Sequence, residues 1–236
     1  MKIPKKIHYC WFGGSEMDKL SLRCLNSWQR FCPDYELVRW DESNSPLNAN
    51  AYVRQAYAAG KWAFVSDYVR AWALSRQGGI YLDTDVEILA SLDSFLDNEA
   101  FMGFEAIDKV ATCVLGCRAE NVFFERLLAE YADRQFLLSD GTFDETTNVE
   151  LMTKMLVEAG LQCNNQKQQV AGVCIYPQDC FSPKDLRTGK INCTARTVAI
   201  HHFSASWMSK RQRFNTRAAQ FLGPRLTGII KRGLGR

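Results

Sequence analysis

Ser66-Asp67-Tyr68-Val69-Arg70, followed by Gly78-Gly79-Ile80-Tyr81-Leu82-Asp83-Thr84-Asp85, is the stretch that decides the fold. Residues 63–77 read as a helix. Phe64, Tyr68, Ala71, Trp72 and Ser75 recur at spacings of three and four, with no Pro or Gly between them. Ser66 is a candidate cap for its first turn. Gly78-Gly79 supplies the left-handed stop that commonly ends helices. Ile80-Tyr81-Leu82 then reads as a short apolar strand, and Val86, Ile88 and Leu89 resume apolar character beyond the acids. Asp67 and Arg70 stand at i and i+3, so they share a helix face. A helix running directly into a strand brings that face near the strand's carboxyl end, where open α/β sheets bind ligands.

In an extended chain, Asp83 and Asp85 point one way and Thr84 the other. Two like charges that close repel unless a positive group sits beside them. Hard divalent cations such as Mn²⁺ or Mg²⁺ favour carboxylate oxygens and often carry a diphosphate as co-ligand. Taken alone, Asp-x-Asp is better read as a turn with two solvated acids. The apolar strand, the Gly-Gly and the Asp/Arg helix together favour a site for a metal, a diphosphate and a polyhydroxylated ring.

Working outward, 236 residues at 47% hydrophobic content suit one domain, or one with a small appendage. No run of eighteen apolar residues occurs, so no transmembrane helix is expected. Met1 to Tyr9 is basic but has no long apolar segment behind it, unlike a secretory signal. Nine cysteines at irregular spacing, with no Cys-x-x-Cys, predict small buried hydrophobes in a reducing cytoplasm and neither disulfides nor a zinc site. From Ser209 onward there are eight Lys or Arg and no acid, against +3 for the whole chain, so the preceding residues are net acidic. We divide the chain into a catalytic domain, 1–208, and a basic tail or helix, 209–236. The interleaved Phe214, Phe221, Leu222, Ile229 and Ile230 suit contact with an anionic membrane surface as well as a helix packed on the domain. No nucleic-acid module is recognisable.

The remaining elements alternate and then mix. Strands are expected at 6–12, 35–40, 100–104, 110–117, 173–176 and 197–203, and helices at 19–31, 50–59, 121–131 and 149–159. In the first strand Ile7, Tyr9 and Trp11 face one way and His8, Cys10 and Phe12 the other. This predicts an α/β fold with a mostly parallel, Rossmann-like mixed sheet flanked by helices. Glu105, at a strand end, reads as a solvated acid, with a nucleophile or base as the alternative.

His201-His202-Phe203-Ser204-Ala205-Ser206-Trp207 is a second constellation. In a strand the two imidazoles face opposite ways, so only one addresses a given site. A neutral imidazole suits Mn²⁺ beside a carboxylate. Trp207 reads either as part of a closing loop over the substrate or as a core anchor.

The chain resembles bacterial glycosyltransferases of the DxD sugar-transferase type (family 32), related to the yeast initiating α-1,6-mannosyltransferase and, more distantly, to clostridial glucosylating toxins. The resemblance rests on residues 3–14 (IPKKIHYCWFGG), on Ser66 to Arg70, on Gly79 to Asp85, and on His201-His202 with Ser206-Trp207. It implies a GT-A fold and a retaining, metal-dependent transfer from a nucleotide-sugar. It implies that Trp11 stacks on the nucleotide base, that Asp67 and Arg70 hold donor-sugar hydroxyls, and that Asp83 contacts ribose and sugar. Asp85 is implied as a direct metal ligand. Tyr81, Asn148 and Trp207 are counted with the donor site. His202 is implied as the late metal ligand with His201 as fallback, and Asp83 joins the metal set. Capsule and lipopolysaccharide synthesis and a saccharide acceptor are implied too. The basic tail, for its part, suggests contact with the inner face of the membrane and a lipid-linked oligosaccharide acceptor, and the cysteine usage a cytoplasmic location. UDP-Gal, UDP-Glc, UDP-GlcNAc and GDP-mannose remain open as donors, with a lean to UDP.

Two other classes use the same residues. A metal-dependent phosphohydrolase or nucleotidyltransferase would want further carboxylates for a second ion. A non-catalytic nucleotide-sugar-binding protein of a polysaccharide assembly would tolerate loss of the acids, which are intact here.

Overall fold

The junction between helix and strand organises the molecule. The structure is a computed structural model and describes residues 2–185 and 188–204. Helix α3 (Trp62–Gln77) stops at Gly78, whose φ is +62° and whose N–H donates to the Leu74 carbonyl. A Cβ on Gly78 would lie 2.5 Å from the Ala119 backbone nitrogen, and one on Gly79 (φ +102°) would lie 2.9 Å from the Lys6 carbonyl oxygen. Only glycine tolerates both the dihedrals and the crowding. The chain therefore passes from α3 into β3 (Gly79–Leu82) with no intervening loop. Ser66 lies inside α3, not at its start. The N-cap is Lys61, which makes no side-chain capping bond.

Around this junction lie β1 (Lys6–Cys10), α1 (Lys19–Phe31), β2 (Glu36–Trp40), α2 (Ala51–Ala58), β4 (Val86–Ile88), β5 (Ala100–Ala106), β6 (Lys109–Val110), β7 (Val114–Cys117), α4 (Val122–Ala129), α5 (Asn148–Glu158), β8 (Gln168–Val170), β9 (Val173–Tyr176), α6 (Gln178–Phe181) and β10 (Ala199–His201). The main sheet has the order β2-β1-β3-β7-β5-β9-β8, with β6 paired to β5. β1 is parallel to β2 and β3, and β5 is parallel to β9. β7 runs antiparallel to both β3 and β5. Thus β2, β1, β3, β5 and β9 share one direction, giving the mixed, mostly parallel sheet expected. β8 and α6 were not anticipated. The stretch expected as one strand at 110–117 divides into β6 and β7 around an irregular segment.

Side-chain alternation sorts the core into two layers. Cys10 and Tyr81 face helices α2, α3, α4 and α5. Ile7, Tyr9, Ile80 and Leu82 face α1, β4 and Phe95. Ile80 and Leu82 are fully buried, each stabilising the fold by about 1.5–3 kcal/mol. On that second face Trp28 of α1 donates its indole N–H to the Val86 carbonyl at 2.7 Å, which fixes β4 just past the acids. β4 pairs antiparallel with β10, outside the main sheet. Helix α5 begins with a capping box between Thr147 and Glu150. All nine cysteines are free, and seven of them are buried. Among the described residues no helix is long and apolar enough to cross a membrane. The basic tail and Trp207 lie outside the described residues.

Candidate active site

β3 ends at Leu82, so the two acids are set by a turn and not by strand alternation. The Asp83 N–H donates to the Cys113 carbonyl at 2.9 Å, and the Val86 N–H closes the turn on the Asp83 carbonyl at 2.9 Å. β4 then meets β10 in a register that puts His201 opposite Val86. This draws an imidazole from the end of the described chain onto the acids. Asp83, Asp85 and His201 each offer one ligand atom, and these lie within 4.8 Å of one another.

The triad is enclosed and polarised. His201 Nε2 is 3.3 Å from Asp85 Oδ1, and the Ser204 N–H donates to Asp85 Oδ2 at 2.6 Å. Burial works against an ionised Asp85, but the His201 charge and the hydrogen bonds from His201 and Ser204 hold its carboxyl far below the ordinary carboxylate range. Burial likewise opposes a charged His201, yet Cys113 and Asp85 raise its pKa well above the usual imidazole value. A positive charge at this position is therefore what the surroundings favour. His201 Nδ1 is buried with no hydrogen-bond partner among the described residues. Two carboxylates and one imidazole, its Nδ1 without a hydrogen-bond partner among the described residues, fit a divalent cation with mixed oxygen and nitrogen preference.

Asp83 also belongs to a second network. Arg70 Nη2 lies 3.3 Å from Asp67 Oδ1 and 3.2 Å from Asp83 Oδ1. Its Nη1 donates to the Thr112 carbonyl at 2.8 Å and its Nε to the Ser66 carbonyl at 3.3 Å. The guanidinium stacks 4.5 Å over the Tyr81 ring, and the Tyr81 hydroxyl donates to Asp83 Oδ1 at 3.0 Å. Burial disfavours charge on Arg70, but Asp83, Tyr81 and Asp67 overcome it and keep it ionised. Burial pushes Asp67 upward against Arg70 and a backbone donor. That donor is the Asn148 N–H, 3.1 Å from Asp67 Oδ2, at the first turn of α5 where amides lack helical partners. The Asn148 amide donates to the Asp67 carbonyl at 2.7 Å and accepts from the Tyr131 hydroxyl at 2.5 Å. The side chains of Asp67 and Arg70 are 11% and 7% exposed, that of Asp83 24%. Of these three, Asp83 presents the most surface, and the other two hold it.

The expected site residues are thus placed unevenly. Asp67, Arg70, Tyr81, Asp83, Asp85, Asn148 and His201 form one connected group. Of the two histidines, His201, the expected fallback, is the one whose ring meets the acids. His202 turns to Glu87 Oε2 at 2.8 Å, with Arg23 3.3 Å from the same ring nitrogen. Tyr81 is 1% exposed and Asn148 is fully buried, so both support the site from beneath instead of presenting surface to a ligand. Trp11 stands half-buried just past β1, at the sheet edge where β3 releases the acids. Its indole N–H donates to the Ser15 carbonyl at 2.7 Å. Tyr131, the Thr112 carbonyl, Cys113 and the Ser204 N–H were not foreseen. They carry no motif, and only their long-range packing makes them part of the site.

Residues 18–102 match the family described as the glycosyltransferase sugar-binding region containing a DXD motif. No curated protein matches the chain by sequence. Among solved structures, the PaToxG glycosyltransferase is 18% identical over 66% of this chain and 69% of its own, with a TM-score of 0.52. A glycosyltransferase involved in glycosylating the major capsid of PBCV-1 is 11% identical, covering 89% and 98%, with a TM-score of 0.45. The galactosyltransferase LgtC, solved with donor and acceptor sugar analogs, is 13% identical, covering 92% and 94%, with a TM-score of 0.47. The fold likeness rests on the first of these. Within the matched stretch Asp83-Thr84-Asp85 is the sole Asp-x-Asp. The chain thus has a GT-A fold whose residues 18–102 are similar to the DXD-containing glycosyltransferase sugar-binding region.

Proposed function

We propose that this protein is a metal-dependent glycosyltransferase that moves a hexosyl group from a nucleotide-sugar, a UDP-sugar by preference, to a saccharide acceptor with retention at the anomeric carbon. The observation that carries this reading is the convergence of Asp83, Asp85 and His201 within 4.8 Å at the carboxyl end of β3, the two acids lying inside the stretch that matches the DXD region. Asp85 and His201 would hold a Mn²⁺ or Mg²⁺ ion, with Asp83 completing the set. When bound, such an ion neutralises the charge that builds on a departing nucleoside diphosphate. Arg70 and Tyr81 orient Asp83, whose remaining surface is available to ribose or sugar hydroxyls. Trp11 offers an aromatic face for the base. Beyond Asp83 and Asp85, no carboxylate is hydrogen-bonded to the triad among the described residues, which supports same-face attack over a covalent glycosyl-enzyme.

A role in bacterial surface polysaccharide synthesis, at the cytoplasmic face of the membrane, follows from the resemblance and from the basic tail, 209–236. The domain division at 208 belongs to the same proposal. The test is incubation with UDP-Gal, UDP-Glc, UDP-GlcNAc and GDP-mannose, with and without Mn²⁺. Release of free sugar and nucleoside diphosphate by the wild type, and none by folded Asp85→Ala, supports the proposal. Release of nucleoside monophosphate or inorganic phosphate would point to a hydrolase instead. Metal-dependent binding without turnover would point to a binding protein.

A further inference from the structure

Glu105 is the last residue but one of β5, and the proposed function does not use it. β3 and β5 run in the same direction with β7 between them, so both release their last residues at one sheet edge. The pairing there is uneven. β7 stays with β3 as far as Leu82 opposite Val114, but leaves β5 after Phe101 opposite Gly116. Beyond that point the irregular, buried stretch 111–113 takes the place of regular pairing: the Ala111 N–H donates to the Gly103 carbonyl at 2.7 Å and the Cys113 carbonyl accepts from the Asp83 N–H at 2.9 Å, and β5 goes on with β9 and β6. Open α/β sheets bind ligands outside the carboxyl ends of their strands.

Glu105 stands next to the carboxyl end of β5, at that edge. The register of β5 against β6 shifts between Phe104 and Ala106, a bulge centred on Glu105. Such bulges re-aim a side chain at a sheet rim. The side chain is only partly exposed, yet among the described residues it accepts no hydrogen bond and makes no ion pair. Its electrostatic neighbours are His201, Asp83 and Lys109, so it addresses the triad's side of the sheet. Burial raises its proton affinity. A half-buried carboxylate with open acceptor capacity costs stability unless it acquires a donor. At the end of β3, Asp83 is already held by Arg70 and Tyr81 on the donor side.

We infer that Glu105 is the acceptor-binding carboxylate, accepting a hydrogen bond from a hydroxyl of the incoming saccharide. The assignment rests on the glycosyltransferase reading and adds a substrate class to its second subsite, a polyhydroxylated acceptor recognised through a hydroxyl donor. A charge-assisted hydrogen bond of this kind corresponds to about a 10- to 100-fold effect on acceptor affinity.

The test uses the full-length chain as wild type, Glu105→Gln and Glu105→Ala, with the four nucleotide-sugars, Mn²⁺, and a panel of methyl glycosides as acceptors. Thermal shift reports donor binding, donor hydrolysis reports the donor half-site, and product formation reports transfer. Both variants should keep the Mn²⁺-dependent shift and the hydrolysis rate, while KM for the glycoside rises about 10-fold or more. An unchanged glycoside KM overturns the assignment, as does an equal loss of donor binding, which would put Glu105 on the donor side. Absence of any Mn²⁺-dependent shift in the wild type instead brings down the parent reading.

Discussion

Arg70 spans the helix–strand junction to reach Asp83, Nη2 to Oδ1 at 3.2 Å, while the same nitrogen holds Asp67 at 3.3 Å. One guanidinium thus ties a helical acid to a turn acid in a nearly dry setting. Removing one partner of a buried pair strands the other's charge, at a cost of about 3–5 kcal/mol. Arg70→Met is expected to lose stability of that order in urea unfolding. Arg70→Lys keeps the charge but lacks the planar fork needed to serve Thr112, Asp67 and Asp83 together. It should melt closer to wild type yet lose Mn²⁺-dependent turnover. A fully stable and active Arg70→Met would show that the network is incidental.

The two adjacent imidazoles make a sharp comparison. His201 meets Asp85, whereas His202 meets Glu87 and Arg23. A cation bound only by the folded chain at 100 times its dissociation constant stabilises it by about 2.7 kcal/mol. His201→Ala and Asp85→Ala should abolish the Mn²⁺-induced rise in melting temperature. His202→Ala should retain it. The opposite pattern, with His202 required and His201 dispensable, would remove the metal assignment made here.

What was readable beforehand follows from range. Helix α3, its double-glycine stop and the apolar β3 are local features, so periodicity and backbone chemistry displayed them directly. The pairing of Asp67 with Arg70 needed only a helical repeat. The choice between His201 and His202 was not local. It depends on β10 meeting β4 with His201 opposite Val86, a register set by two distant segments. Strand reasoning placed Asp83 and Asp85 on one face, whereas a turn closed by the Val86 N–H brings them together. Asn148 was legible as a polar position, but its burial against Asp67 comes from the capping box of α5, which aims the first amides of that helix at the carboxylate.

Acid sensitivity is predictable at Asp144. Its partial burial opposes ionisation, but hydrogen bonds from Arg134 and Thr146 outweigh this and hold its pKa below the ordinary value. Arg134 also lies over the rings of Tyr52 and Tyr131, at 4.5 and 5.0 Å. A carboxylate with a lowered folded-state pKa contributes stability above its unfolded pKa and loses it as pH falls through the folded one. Asp144→Asn should therefore be less stable than wild type at neutral pH and should converge with it in acid. Parallel stability curves from neutral pH into acid would mean that the Arg134 bond contributes nothing to folding.

Gly78 sets the approach of α3 to β3 with no room for adjustment. An added Cβ would meet backbone atoms of Ala119, Arg118 and Cys117 at 2.5–2.9 Å, none of which can swing aside as a side chain would. A positive φ on a non-glycine residue adds about 1–3 kcal/mol of strain. Gly78→Ala is expected to lower the melting temperature and to weaken metal binding by shifting Asp83 relative to Asp85. By contrast, Gly14→Ala, with a φ of +65° but nothing within 4 Å of the added Cβ, should carry the dihedral cost alone. Equal destabilisation of the two variants, measured by urea unfolding, would mean that contact with the 117–119 segment is not what fixes the junction.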